Sequence, residues 1–406
     1  MNGNKVLRDK NIPLSQKRFW HTNMEAVGGI VITLIAIGSI NVFSSSFILA
    51  ETEMGSPYFF LQRQGINLVA GAVCFYMGWR FEYTRWRKVT PIIFWAVMAC
   101  LAGVLVAGLG ANGSQRWLGV GGFTFQPAEF AKVAALLMIA DYLALTLQRG
   151  RAVTPINKTF GMIMIMAVLI EKEPDMGTAL VVAGVPMLLM MMCGMGKSWI
   201  TGLIGVCAVL FAFMVNFHSY RLNRLSVWYD PWSDAANKGY QAVSSITAVG
   251  SGGLFGMGLG TGLSKYSYLP EAHTDFAFAV FSQETGFFMV LFVLIMYSLL
   301  AYYSLMIAKS AKDYYGHLLA AGITMLIAGQ AVFNIMMVVG IMPVVGIPLP
   351  FISYGGSSLM TNMFLIGLLL SIGRVGEFDR LKRLATAGNQ QVEMVPQRPL
   401  LRFIKR

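Results

Sequence analysis

Between Phe276 and Ala308 the chain carries a single charged side chain, Glu284. A run this apolar belongs in hydrocarbon, where every backbone N–H and C=O must be satisfied within the segment itself, so it reads as a helix. About 20 apolar residues cross a bilayer core, so this run should cross and project. Nine further runs complete a set of ten: 24–47, 65–80, 90–110, 127–147, 159–171, 176–195, 198–217, 317–340 and 355–373. The second, fifth and tenth are short. Composition agrees: the 406 residues are 56% hydrophobic and 12% charged, against about 25% charged in a soluble domain. The expected fold is an all-α polytopic membrane protein of about ten transmembrane helices. No cleavable leader is read, because the basic, polar N-terminus runs straight into a full-length span.

Lysine and arginine set the orientation. With both termini cytoplasmic, 23 of the 31 basic residues lie inside, and the two sides carry +15 and −3. The net charge of +12 therefore points to the membrane surface and not to nucleic acid. The expected divisions are a cytoplasmic tail (1–23), a membrane domain (24–373) and a basic, mobile cytoplasmic tail (374–406). One large extracytoplasmic loop, about 217–275, separates spans seven and eight. Its aromatic residues (Tyr220, Trp228, Tyr229, Trp232, Tyr240) argue against disorder, and 241–249 reads as a short interfacial helix. Cys74, Cys100, Cys193 and Cys207 each lie in an apolar run and read as core residues. No internal repeat is found.

The densest chemistry is Lys265–Phe276, KYSYLPEAHTDF, where Glu271, His273 and Asp275 precede the longest apolar run. Ionisable groups at a membrane boundary usually mark function, although a solvated loop end fits equally well. Glu129 and Lys132, at i and i+3, share a helix face; they read as a self-neutralising pair or as part of a site. Arg116 beside Trp117 is an interfacial anchor or a phosphate and lipid-tail contact. Asp175 precedes MGTALVV and is placed to cap it. Arg221 and Arg224 suit an anion or a solvated face. Met342–Ser358, MPVVGIPLPFISYGGSS, holds three prolines and three glycines and cannot be regular helix. Such backbone survives at membrane depth only inside protein or around a watery cavity, to which Ser353, Tyr354, Ser357 and Ser358 offer hydroxyls. GMGKS at 194–198 lacks the first P-loop glycine, and the glycine-rich 250–262 run lacks GxGxxG spacing, so nucleotide binding has no support. The four histidines form no zinc pattern. The carboxylates leave a divalent cation open.

The pieces GSQRWLGVGGFTFQPAEFAK, EPDMGTALV, YRLNRLSVWYDPW, GYQAVSSITAVGSGGLFGMGLG, YLPEAHTDFAFAVFSQETG and PLPFISYGGSS occur in order along nearly the whole membrane part. Together they resemble the SEDS family (shape, elongation, division and sporulation), membrane glycosyltransferases of bacterial cell-wall synthesis. The early segment SSSFILAETEMGSPYFFLQRQ looks more like the division and sporulation branch (FtsW-like) than the elongation branch (RodA-like). Ala277 and Ala279 depart from the bulkier residues expected after the aspartate. The resemblance implies polymerisation of lipid II on the outer face of the bacterial cytoplasmic membrane. It implies partnership with a class B penicillin-binding protein and with other division or elongation membrane proteins. It also implies that Asp275 is the catalytic aspartate and that Trp117, Glu129, Lys132 and Asp175 line the outer cavity.

The residues fit such a reaction. A base must take a proton from a sugar hydroxyl, which Asp275 can do. The leaving lipid diphosphate needs fixed cations or a metal, and Lys132, Arg116, Arg221 and Arg224 fall on the expected side. Two other readings fit the same helices: a lipid II flippase and a non-catalytic scaffold for division proteins. The nearly uncharged inner halves of the spans, Asp141 apart, disfavour a flippase.

Overall fold

The computed structural model describes residues 22–111, 114–120, 123–205, 226–266 and 269–393. Arg221, Arg224 and Cys207 lie outside the described residues. The elements in chain order are α1 (Asn23–Met54), α2 (Phe59–Arg80), α3 (Tyr83–Ala107), β1 (Leu109–Ala111), β2 (Ser114–Val120), β3 (Phe123–Phe125), α4 (Pro127–Gln148), α5 (Lys158–Lys172) and α6 (Met176–Met192). Helical residues 197–205 (α7) and 226–229 (α8) follow, then α9 (Tyr240–Ser251), α10 (Ala277–Lys309), α11 (Tyr314–Val338) and α12 (Gly356–Glu393).

Among the described residues, six helices are long and apolar enough to cross a membrane: α1, α3, α4, α10, α11 and the Gly356–Leu381 part of α12. Of the other expected spans, the second, fifth and sixth are shorter or more polar, and most of the seventh, 206–217, lies outside the described residues. α5 has 15 residues and α6 has 17, while α2 carries Gln62, Arg63, Gln64 and Asn67 in its first half. Within the apolar windows, 67% of α4, 67% of α11 and 72% of α12 are buried, against 28% for α3 and α10. The first three therefore form the centre of the bundle and the last two its rim. α2 packs along α12 more extensively than any other helix pair among the described residues, through small residues. A Cβ on Gly78 would come within 2.6 Å of Phe364 O, so the backbones approach as closely as glycine allows.

Three elements differ from the sequence reading. The segment after span three is a three-stranded antiparallel sheet, ordered β1-β2-β3, with Trp117 opposite Leu109 and Leu118 opposite Phe125. The segment after Arg374 begins as helix, because α12 continues to Glu393. α10 is not one straight rod: Gly286 sits at φ 76°, ψ −176° inside it, a conformation open essentially to glycine alone.

That break is filled by the glycine-rich loop. Gln283 O and Glu284 O accept from Met257 N and Gly258 N, both at 3.0 Å. Phe287 N and Phe288 N donate to Gly253 O and Leu254 O at 3.0 and 3.3 Å. A side chain on Gly286 would collide with Gly256 N. The loop thus takes over the hydrogen bonds that α10 gives up.

The segment 339–355 is non-helical, as its prolines and glycines require, and much of it is buried. Protein surrounds it: Tyr297 donates its hydroxyl to Pro350 O, Asn334 Nδ2 to Ile347 O at 2.7 Å, and Trp228 Nε1 to Ile341 O at 3.1 Å. α9 is present as expected and is pinned by Ser245 Oγ, which donates to Val338 O at 2.8 Å.

Candidate functional site

Asp275 stands just ahead of α10, one residue before its N-cap position. The N-cap position is Phe276, with no side-chain cap bond. The turn before the helix is held by Glu271, whose backbone is left-handed at φ 55°. Glu271 O accepts from Thr274 N and Phe276 N, both at 3.2 Å, and its carboxylate accepts from Thr274 Oγ1 at 2.7 Å. Non-glycine residues in that region store roughly 1–3 kcal/mol and cluster at functional sites. Asp275 O accepts from Asn334 Nδ2 at 2.8 Å, the same amide that holds Ile347 O. The Asp275 carboxylate lies against Gly346, which is left-handed at φ 78°; a Cβ there would be 3.3 Å from Oδ2. One asparagine and one glycine therefore seat Asp275 against the irregular segment.

His273 is engaged differently. Its carbonyl accepts from Tyr354 N at 2.9 Å, and its ring lies 4.8 Å from the Phe60 ring and 5.7 Å from that of Tyr354. Burial pushes its pKa down, partly offset by Glu271 and Glu53, so the imidazole is neutral at neutral pH.

Four other expected residues, Asp175, Ser357, Glu129 and Lys132, belong to one connected polar network on α4, α6 and the start of α12. Asp175 caps α6, as its position predicts, by accepting from Thr178 N at 3.1 Å, and also accepts from Gln126 Nε2 at 2.8 Å. Gln126 N donates to Ser357 Oγ at 2.9 Å. Thr361 Oγ1 donates to Ser357 O at 3.0 Å and contacts Glu129 Oε2 at 3.3 Å. Glu129 Oε2 lies 2.7 Å from Lys132 Nζ, both side chains being almost wholly buried. Lys132 Nζ makes no further polar contact among the described residues. Arg116, on β2, donates to Glu173 O at 3.2 Å and to Pro174 O, tying the sheet to the α5–α6 junction. Trp117 follows it on β2, half-buried.

The expected hydroxyls are committed as well. Ser353 Oγ accepts from Leu349 N at 2.9 Å, so it and Ser357 brace backbone. Among the described residues no group of three or more His, Cys, Asp or Glu side chains gathers to hold a metal. Arg87 pairs with Asp141.

Sequence reading missed Gln126, Asn334, Asn41 and the pair Lys265–Glu284. Polar residues inside apolar runs were the available signal. Asn41 Nδ2 donates to Ala277 O at 2.9 Å. Lys265 Nζ lies 3.0 Å from Glu284 Oε1, and Ser44 Oγ donates to Glu284 Oε2 at 2.6 Å.

Glu173 is the remaining anomaly. It is buried, and neither carboxylate oxygen has a hydrogen-bond partner among the described residues. Burial and the neighbouring Asp175 push its pKa up to about 8, against a smaller opposing pull from Arg116. A neutral acid therefore sits beside the Asp175 network at pH 7. A carboxyl whose pKa is higher folded than unfolded favours the folded state below the unfolded value, and that advantage is lost as pH rises through the folded value. Stability should thus fall between about pH 4.3, the ordinary glutamate value, and about pH 8.

The chain is similar along most of its length to proteins of known kind. Residues 25–377 match the family model of FtsW, RodA and SpoVE cell cycle proteins. Stage V sporulation protein E of Bacillus subtilis is 36% identical over 357 residues, covering 86% of this chain and 96% of the relative. A probable peptidoglycan glycosyltransferase FtsW of Geobacter metallireducens is 34% identical over 348 residues, covering 84% and 92%. A chain in the solved structure "Structural coordination of polymerization and crosslinking by a peptidoglycan synthase complex" superposes with a TM-score of 0.71 at 25% identity, covering 88% of this chain and 99% of that one. The rod shape determining protein RodA of Thermus thermophilus gives 0.62 at 26% identity, covering 86% and 95%.

Glu173→Gln should leave the melting temperature close to the wild type at pH 4 and raise it progressively above the wild type up to about pH 8. Parallel melting curves from pH 5 to 9 would show that Glu173 is not the titrating group.

Proposed function

Because the chain belongs to the FtsW/RodA/SpoVE family of cell cycle proteins, we propose that it is a peptidoglycan glycosyltransferase of cell division or sporulation that joins lipid II units into glycan strands. The observation that carries the mechanism is the seat of Asp275: ahead of its helix, outside the cap position, and fixed by Asn334 and Gly346. Asp275 acts as general base on the attacking sugar hydroxyl. Correct placement of such a group contributes about 10²–10⁴-fold in rate. A single displacement inverts the anomeric centre and releases the lipid diphosphate.

The developing diphosphate charge needs fixed positive groups. Arg116 retains donors beyond those on Glu173 O and Pro174 O, and Arg221 and Arg224 stand as further candidates. Lys132 is buried against Glu129, so its contribution is a neutralised dipole and not an available cation. A divalent cation carried on the diphosphate would share this work. The half-buried Trp117 and the apolar sides of the helices suit the lipid tail.

The +15 to −3 charge split supports ten spans with both termini cytoplasmic and the 217–275 loop outside. It supports the division into tails at 1–23 and 374–406 flanking the membrane domain, with α12 carrying the second tail onward as helix. The likeness to a chain of a peptidoglycan synthase complex supports a penicillin-binding protein as working partner, of class B in our reading, alongside other division proteins.

The purified full chain, given lipid II alone, should make glycan polymer. Lipid II moved between leaflets without polymer would point to a flippase; neither activity would point to a scaffold. For the topology, Tyr229→Cys, an exposed position in the loop, should react with an impermeant thiol reagent in intact cells. Reaction only after the inner membrane is opened would invert the assignment.

A further inference from the structure

Gly286 divides α10 into a short front piece, 277–285, and a long stem. The hydrogen bonds that would join them go to the glycine-rich loop instead. The front piece, which carries Asp275 at its tip, is therefore not aimed by the stem. Its orientation depends on what grips its two ends.

At the tip, Asn41 and Asn334 hold Ala277 O and Asp275 O. At the far end the grip is electrostatic. Glu284 Oε1 faces Lys265 Nζ at 3.0 Å and accepts from Gly262 N at 3.4 Å, while Oε2 accepts from Ser44 Oγ at 2.6 Å. Lys265 Nζ also reaches Ser44 Oγ at 3.5 Å. Gln283 adds two bonds, accepting from Ser264 N at 3.0 Å and donating to Ser251 Oγ at 2.8 Å. The cluster joins α1, the loop and α10, and the Lys265 and Glu284 side chains are 4% and 1% exposed.

A buried ion pair is weak evidence for stability, since apolar residues of similar volume often serve as well; its attested use is to fix one arrangement among several. Here the arrangement is the aim of a helix piece. Residues 277–284 span about 12 Å at the α-helical rise. A tilt of about 5° at Glu284 would carry the tip by about 1 Å, and a misplacement of that size can cost about 10²-fold in rate.

We propose that Lys265 and Glu284 are positioning residues for Asp275, setting the base through the front piece of α10. This rests on the reading of Asp275 as base. The test compares Glu284→Gln, Lys265→Met, the charge exchange Lys265→Glu/Glu284→Lys and Ser44→Ala in the purified full chain, with Asp275→Asn as reference. The readouts are kcat and KM with lipid II, melting temperature, and amide hydrogen exchange of 271–285 against 314–338.

Glu284→Gln should lower kcat about 10–100-fold with KM nearly unchanged, and exchange should quicken in 271–285 but not in 314–338. The charge exchange should recover part of kcat. Ser44→Ala, which deletes one hydrogen bond and no charge, should lower kcat several-fold and so serves where a charge variant does not fold. Wild-type kcat and exchange in Glu284→Gln or Ser44→Ala, beside an inactive Asp275→Asn, would overturn the positioning role and leave the base in place. An active Asp275→Asn would overturn the base reading instead, and unchanged exchange in 271–285 would then overturn the grip itself.

Discussion

A buried backbone amide or carbonyl must find a partner, and in a membrane the usual partner is the next turn of the same helix. This protein gives up that arrangement in two places, at Gly286 within α10 and along 339–355. Both breaks are repaired by other parts of the chain: the glycine-rich loop satisfies the first, and Asn334, Tyr297, Trp228 and Ser353 satisfy much of the second. Asp275 lies at the second repair, its carbonyl on Asn334 and its carboxylate against Gly346, and the short front piece of α10 separates it from the first. The irregular backbone thus creates the seat, and the helices around it keep it from relaxing.

Charge is handled with the same economy. Glu129 faces Lys132 and Glu284 faces Lys265, each pair almost wholly buried. Asp175 is satisfied by Thr178 N and Gln126. Glu173, which has no such partners among the described residues, is held neutral by burial. Isolated charges at such depth would cost several kcal/mol each, so pairing or protonation is what lets these groups stay. The consequence for catalysis is that Lys132 and Glu129 shape the site as a dipole, while Arg116 is anchored on backbone carbonyls by part of its guanidinium.

Much of this was legible in the sequence. The long apolar runs gave the helices, the prolines and glycines of 342–358 gave the broken segment, and the spacing of Glu129 and Lys132 gave their pairing. The Asp175 cap was also readable from its place before MGTALVV. The hairpin around Arg116 was not, because its glycine-rich strands lack a clear two-residue alternation. The break in α10 was hidden because a lone glycine in an apolar helix is ordinarily tolerated. Lys265 and Glu284 were each visible, but nothing local says that a loop lysine folds back onto a span glutamate. The extension of α12 was read as tail because its apolar run ends near Arg374 although helix does not.

Catalysis depends, in this reading, on the carboxylate of Asp275. The decisive measurement is glycan product from purified Asp275→Asn with lipid II, made beside the wild type and accompanied by melting temperature. Asparagine preserves the side-chain shape and cannot accept the proton. With Asp275 as base, the variant should be a folded, membrane-inserted protein whose polymer falls by about 10²–10⁴-fold. Near-normal polymer from a folded Asp275→Asn protein would contradict it.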